Sequence, residues 1–498
     1  MNTKLTEATN ARLAGKLRKA EKLIRLTLKK QPRDPETLHL AGLILRDLGN
    51  DRRALRYLEK AAEYSPQSAP ILCDLGLLYK KLGEPDKAIA KQRRVCGFLP
   101  QSAPAWSNLG SALNAAGQYD EAIRALTRAI DINPSEPEFH FNLGNAYFGN
   151  GDLNPAISSY ERTIELSPTH LGAHLNLASV QKSIGRIGDA ELSLAAAAQI
   201  DPPNPNTLWN ESLLLLMRQD FQSGWAAYEA RCSIPGSAMH HQERRRWDGK
   251  FRTGQSLLIH AEQGLGDTIQ FCRYLDQFAE SRTDYFVELP ERLVPLLSTL
   301  PTCDQHIAVG EKARFDVQIP LLSLPYQTGP TEPFWPDSGP YLSAERSRVD
   351  EWRTHLPTNK KYRIAICWQG NASYRADATR SIPIHEFTPV AGLPDIQLIS
   401  LQQGEAAKQL VSQSWGSDVL SLGNEIDAEG AFLDSAAILE NVDLLITSDT
   451  AIAHLGGALG VETWVVLSFV PDWRWGLDGT ETPWYPTMKL YRQTQHGD

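Results

Sequence analysis

A step of 34 residues governs the first two fifths of this 498-residue chain and narrows what it can fold into. Proline recurs at that step at Pro32, Pro66, Pro100, Pro134, Pro168 and Pro202, and glycine at Gly15, Gly49, Gly83, Gly117, Gly151 and Gly185. Alanine keeps it at Ala20, Ala54, Ala88, Ala122, Ala156 and Ala190, and a fourth ladder runs through Gly42, Gly76, Gly110, Gly144 and Ala178. Four ladders in phase make every copy the same supersecondary unit, and units of this size bury their apolar faces only by stacking. In the copy at 103–136, Trp106, Leu109, Gly110 and Leu113 fall on one stripe of a first helix, which Gly117 ends in a turn. Ala122, Leu126 and Ala129 then line a second helix that stops at Pro134, and the small Gly110 and Ala122 let the two helices approach closely.

The pattern resembles the tetratricopeptide repeat. Over residues 1–204 the resemblance implies six helical hairpins stacked into a superhelix, with first helices forming the concave wall. A degenerate seventh copy and a linker are expected over 205–240, with Trp225 and Tyr228 on its second helix. One more ladder bears on function: Asn108, Asn142, Asn176 and Asn210 keep the 34-residue step, with Asp74 at the corresponding earlier place. Amides repeated along a groove can hydrogen-bond an extended peptide without reading its sequence, which points to a protein or peptide partner. The alternative is that these asparagines hold the repeat itself together.

Charge excludes some functions. The net charge of −9 divides into +10 over residues 1–102, −7 over 103–239 and −12 over 240–498, an acidic bulk that argues against nucleic acid as a partner. The basic first block, at helical spacing, reads as a solvated face. No apolar run approaches the roughly 18 residues of a membrane span, and the N-terminus lacks a signal-peptide core, so a cytoplasmic location is expected. The six cysteines lie far apart with no Cys/His cluster at ligand spacing, so reduced thiols and no metal are expected.

After residue 240 the period disappears, and short apolar runs alternate with helical segments. Residues 256–260, 285–289, 315–320, 363–368, 396–401, 443–447 and 463–468 read as buried parallel strands, which makes this half α/β. The Pro-, Gly- and Thr-rich stretch 325–361, with a short helix near its end, separates two doubly wound parts, 241–340 and 341–498. Three loops follow strand ends, where ligands of such folds bind. In the first, Gly264 and Gly266 allow close backbone approach, and Asp267 either caps the following helix or faces the cleft. In the second, Gln369, Gly370 and Asn371 run on to Arg375, Arg380 and Ser381, a set suited to an anion. In the third, Ser448, Asp449 and Thr450 open a helix ending at Gly460, with His454 one turn on from Thr450.

The Gly266-Asp267 loop and the Asp449-Thr450-x-x-x-His454 helix resemble a GT-B glycosyltransferase of the heptosyltransferase-like superfamily. Joined to tetratricopeptide repeats, the layout is similar to that of protein O-GlcNAc transferases and bacterial repeat-bearing transferases, and Asp472-Trp473-Arg474-Trp475 and Pro483-Trp484-Tyr485-Pro486 resemble the bacterial group. The resemblance implies a repeat superhelix followed by a two-Rossmann-half GT-B domain. It implies a metal-independent, inverting enzyme with no cofactor, using a nucleotide-sugar as donor. Asp267 would face the acceptor as general base, while Ser448, Asp449, Thr450, His454 and Arg380, which stands where the family often has Lys, would hold the donor. Gly264, Gly266, Gln369 and Gly370 would line the phosphates. GT-B domains usually finish with a helix crossing back onto the first half, and the sequence reaches Asp498 soon after its last tryptophan-rich segment, so either a truncated chain or an unusually short end is expected. A cell-envelope glycan acceptor, or a non-catalytic repeat scaffold with a degenerate transferase domain, are the alternatives.

Overall fold

The computed structural model describes residues 3–234, 239–250, 252–279, 284–303, 305–329, 332, 333, 335, 339–357, 361–372, 377–422 and 426–495. It divides into two compact units, Met1–Pro202 and Pro203–Asp498.

The first unit is a stack of six helical hairpins, the first Thr3–Leu13 with Leu17–Lys30 and the last Leu171–Ser183 with Ile187–Ile200. Each ladder of the sequence has one physical job. The six turn glycines, Gly15 to Gly185, all sit at φ between 69° and 90°, a left-handed backbone that a side chain resists. The alanines Ala20, Ala54, Ala88, Ala122, Ala156 and Ala190 are fully buried. A Cβ on Gly42 would meet Leu58 Cγ at 2.6 Å, and one on Gly144 would meet Tyr160 Cε1 at 2.6 Å, so a larger residue there would force the paired helices apart. First helices of successive repeats also pack on each other, as Ala69–Lys81 does on Ala103–Ala115.

The second unit opens with a seventh hairpin, Pro205–Met217 and Phe221–Tyr228, and continues into two all-parallel sheets. The first contains β1 (Ser256–His260), β2 (Asp284–Leu289), β3 (His306–Ala308) and β4 (Val317–Pro320) in the order β3-β2-β1-β4. The second contains β5 (Tyr362–Cys367), β6 (Ile396–Ser400), β7 (Leu420–Ser421), β8 (Leu444–Ser448), β9 (Thr463–Leu467) and β10 (Met488–Arg492) in the order β10-β9-β8-β5-β6-β7. Counted within its own sheet, that is the 3-2-1-4-5-6 order of dinucleotide-binding folds, and the first sheet follows its first four places. Seven strands lie where the apolar runs of the sequence put them. β3, β7 and β10 are additions: the first two span only three and two residues, and β10 alternates buried and exposed positions as an edge strand does. Helix Arg346–His355 ends the Pro-rich stretch.

The seventh hairpin is welded to the sheet unit by aromatic rings. Trp225 packs edge-on against Phe271, Trp473 and Trp484 at 5.4 to 6.4 Å between centroids, and all four rings are buried. Among the described residues, no disulfide joins any of the six cysteines. Among the described residues, no helix is long and apolar enough to cross a membrane.

Candidate functional site

In a doubly wound sheet, the crevice opens where the strand order reverses, here between β5 and β8. The loops leaving those strands carry the second and third sequence-predicted sets, and the fold brings them together at Gly370. A Cβ on Gly370 would lie 2.7 Å from Arg380 Nη2, 2.7 Å from Asp377 Oδ1 and 3.2 Å from Thr450 Cγ2. A side chain at this position would have to displace the ends of Arg380 and Asp377.

Asp377 organises this corner. Its buried carboxylate accepts from the Gly370 N–H (3.2 Å), Gln369 Nε2 (3.2 Å), Arg380 Nε (3.1 Å) and Ser381 Oγ (3.3 Å). Buried Gln402 performs the same service for the strand end, its Oε1 accepting from the N–H groups of Trp368 (3.0 Å) and Gln369 (2.9 Å). Sequence reasoning missed both. Arg375 falls outside the described residues.

Strand β8 ends at Ser448, and helix Ala451–Ala458 begins after Thr450, whose extended backbone makes it the N-cap residue without a side-chain capping bond. The Ser448 hydroxyl is buried and, among the described residues, has no hydrogen-bond partner. Burial and the charge of Asp472 push the Asp449 carboxyl up to about 6, while Arg380 and Arg474 pull it down. His454 is buried, its Nδ1 3.0 Å from the Tyr485 hydroxyl and its ring stacked on Trp475 at 5.4 Å. Burial and then the cationic neighbours Arg474, Arg273 and Arg380 hold its pKa well below the ordinary value, so the imidazole is neutral.

The first sheet contributes the Gly264–Asp267 loop, which follows β1 and opens helix Leu265–Phe271. Gln263, at φ 62°, turns the chain into it. A Cβ on Gly266 would lie 3.1 Å from His454 Cδ2 and 3.2 Å from Ala451 Cα, so this loop lies directly against the helix of the other sheet. Both oxygens of Asp267 are engaged: Oδ2 accepts from the Gly264 N–H at 2.8 Å, the return half of a capping box whose glycine has no side chain to complete it, and Oδ1 pairs with Arg474 Nη2. Burial raises the Asp267 pKa against the opposing pull of Arg474. Arg474 also donates to Gln270 Oε1 (2.7 Å) and Asp472 Oδ1 (2.7 Å), with its guanidinium 4.3 Å from the centre of the Trp473 ring. An arginine set between two tryptophans was the signal in the sequence for this residue.

In the repeat unit, the asparagine ladder links neighbouring first helices. Asn108 Nδ2 donates to Cys73 Sγ at 3.3 Å, Asn176 Nδ2 donates to Asn145 Oδ1 at 2.7 Å, and Asn142 is half-buried at the same register. Asp74 takes His39 Nε2 at 2.8 Å and Arg46 Nη1 at 2.9 Å. Asn210 belongs to the second unit, where it bonds to its own helix at Asn206 O (2.8 Å).

Residues 39–104 and 137–170 match the family described as tetratricopeptide repeat, and residues 110–151 match one described as TPR repeat. Tetratricopeptide repeats are present in the N-terminal region. The protein FlbA of Caulobacter vibrioides is 27% identical over 347 residues, covering 62% of this chain; the chain spans 57% of that relative's length. Among solved structures, MamA is 28% identical with a TM-score of 0.29, covering 32% of this chain and 93% of MamA. A tetratricopeptide repeat protein from Parabacteroides merdae is 16% identical with a TM-score of 0.43, covering 48% of this chain and 94% of that one.

Proposed function

We propose that the sheet unit is a GT-B-type glycosyltransferase that moves a sugar from a nucleotide-sugar to a protein acceptor recruited by the repeats. The observation that carries this reading is the meeting of loops from two doubly wound sheets, with Gly266 against His454 and Ala451. Beside it, Arg380, Gly370 and Thr450 converge at the crevice of the second sheet, and the buried Ser448 hydroxyl has no partner among the described residues. Such a crevice suits a diphosphate: a guanidinium for the charge, a glycine for close approach, and the N–H groups that open an eight-residue helix.

In this reading, the acceptor hydroxyl oxygen bonds to the anomeric carbon as the bond from that carbon to the diphosphate oxygen breaks. Arg380 and the start of helix Ala451–Ala458 stabilise the charge gathering on the departing nucleoside diphosphate. A carboxylate takes the hydroxyl proton. Asp267 does so once Arg474 swings to its second partner, Asp472, which already lies 2.7 Å from Nη1. Neutral His454, clamped between Tyr485 and Trp475, positions the donor end of the helix. Tetratricopeptide repeats are interaction modules, which supports a protein rather than a glycan acceptor.

One observation favours a second reading, a repeat scaffold with an inactive domain: both Asp267 oxygens are occupied by a cap and an ion pair. Asp267→Ala and His454→Ala distinguish the two. The transferase reading expects Asp267→Ala to lose sugar transfer while keeping donor affinity, and His454→Ala to weaken donor binding. Donor affinity that falls equally in both variants would remove Asp267 from the base role, and absence of donor binding in the wild type would leave the scaffold.

A further inference from the structure

Away from that crevice, the first sheet gathers imidazoles around a buried carboxylate. Glu288, on β2, pairs in parallel register with His260 on β1, so both stand at the carboxyl ends of adjacent strands. His240 and His241 come from the segment between the seventh hairpin and β1, and their ligand atoms and a Glu288 oxygen all lie within 4.8 Å of one another. His241 Nε2 is 3.1 Å from Glu288 Oε2, close to the roughly 3.3 Å between two atoms that bind one ion at about 2 Å each.

Three features separate this group from an ordinary surface cluster. Glu288 is 1% exposed, and among the described residues its one ion-pair partner is the His241 imidazole. A buried carboxylate without Lys or Arg calls for another cation. His241 is held at φ 57°, a left-handed backbone uncommon outside glycine, which aligns its ring on Glu288. His260 packs beside both histidines, with centroids 5.5 Å from His241 and 6.4 Å from His240. Its Nε2 lies 2.9 Å from Gln318 Oε1, while its buried Nδ1 has no partner among the described residues. A carbonyl oxygen on one ring nitrogen leaves the lone pair on the other, which is how ligating imidazoles are held.

We propose that His240, His241 and Glu288 bind one divalent ion of the zinc class, with His260 beside them as a third imidazole. Two imidazoles and one carboxylate select Zn²⁺ and its first-row neighbours over Mg²⁺ and Ca²⁺, which prefer all-oxygen sites. Exposed His240 gives the ion a way in. Bound there, the ion would fasten the 240–247 segment to the sheet: Trp247 N–H already donates to Gln318 O at 2.9 Å, and Gln318 N–H to Arg245 O at 3.0 Å. The wide spacing of Glu288 from the paired histidines hid the group from sequence inspection. The proposal does not depend on transferase activity.

The test is metal titration of the full chain after removal of bound ions with a chelator. Co²⁺ is followed by its visible absorption and Zn²⁺ by competition with a chromogenic chelator. One equivalent per chain is expected, with affinity at least about tenfold weaker in His240→Ala and Glu288→Gln, and unchanged in His385→Ala, an exposed histidine elsewhere. His240 is exposed, so its variant decides the matter even where Glu288→Gln fails to fold by circular dichroism. Substoichiometric binding by the wild type, or wild-type affinity in His240→Ala, overturns the proposal.

Discussion

The two units differ in where they put their polar side chains. In the repeats, polar contacts run between neighbouring copies: Asn108 reaches Cys73, Asn176 reaches Asn145, and Lys80 Nζ reaches Ser111 Oγ at 2.7 Å, all 31 to 35 residues apart. In the sheet unit, polar groups turn inward and partners lie far apart in sequence. Arg474 meets Asp267 across 207 residues, and Arg273, 1% exposed, donates to Trp484 O across 211 at 2.6 Å. Polar contacts in the repeat join neighbouring copies, whereas in the sheet unit they tie distant segments together at the candidate site.

That contrast is broken most severely at Arg474. Arg474→Ala leaves the carboxylates of Asp267 and Asp472 without their guanidinium, and should cost about 3–5 kcal/mol in denaturant unfolding of the sheet unit. A loss under 1 kcal/mol would place the strength of this unit elsewhere.

Glycine substitutions sharpen the comparison, since the same change should act on stability in one unit and on binding in the other. Gly144→Ala drives a methyl group into the buried Tyr160 ring and should cost about 1–3 kcal/mol. Gly370→Ala meets Arg380 and Asp377 side-chain atoms instead; its melting temperature should stay near wild type while nucleotide-sugar response disappears. Equal stability losses in the two variants would erase the distinction.

The ladders explain why so much of the first unit was legible in its sequence. Each repeated proline, glycine or alanine answers a local demand: a stop, a left-handed turn, a close helix contact. In the second unit, strand β1 was legible as an apolar run, and Gly370 and Arg380 as loop chemistry. Asp377 and Gln402 were not, because their importance lies in partners supplied by other strands and loops, and Arg474 and Tyr485 stood out only as members of tryptophan-rich segments, without their roles. Asp267 shows the limit well: the sequence left it as either a cap or a cleft carboxylate, and its geometry is that of a cap paired with a residue near the far end of the chain.

A smaller effect concerns pH. Asp449 carries a folded pKa of about 6 against about 3.8 unfolded, so the native state holds the proton more tightly. The stability this contributes is fully present below pH 3.8 and is lost as pH rises through 6. Asp449→Asn should therefore flatten the stability profile and exceed wild type by about 1–2 kcal/mol at pH 7.5, measured by denaturant unfolding across that range. A parallel profile in the variant would show that Asp449 is not the group responsible. The smallest expected change is Asn176→Ala, about 0.5–1.5 kcal/mol for one amide hydrogen bond to Asn145, read from the melting temperature.

The central claim, that the crevice between β5 and β8 receives a nucleoside diphosphate-sugar, is tested most directly by a thermal-shift panel on the full chain. UDP-, GDP-, ADP- and dTDP-sugars are compared on wild type and Arg380→Ala, each with and without EDTA. The account predicts that one nucleotide raises the wild-type melting temperature, that EDTA leaves the shift intact, and that Arg380→Ala abolishes it. A folded wild type that responds to none of them, or a shift that survives unchanged in Arg380→Ala, would contradict it.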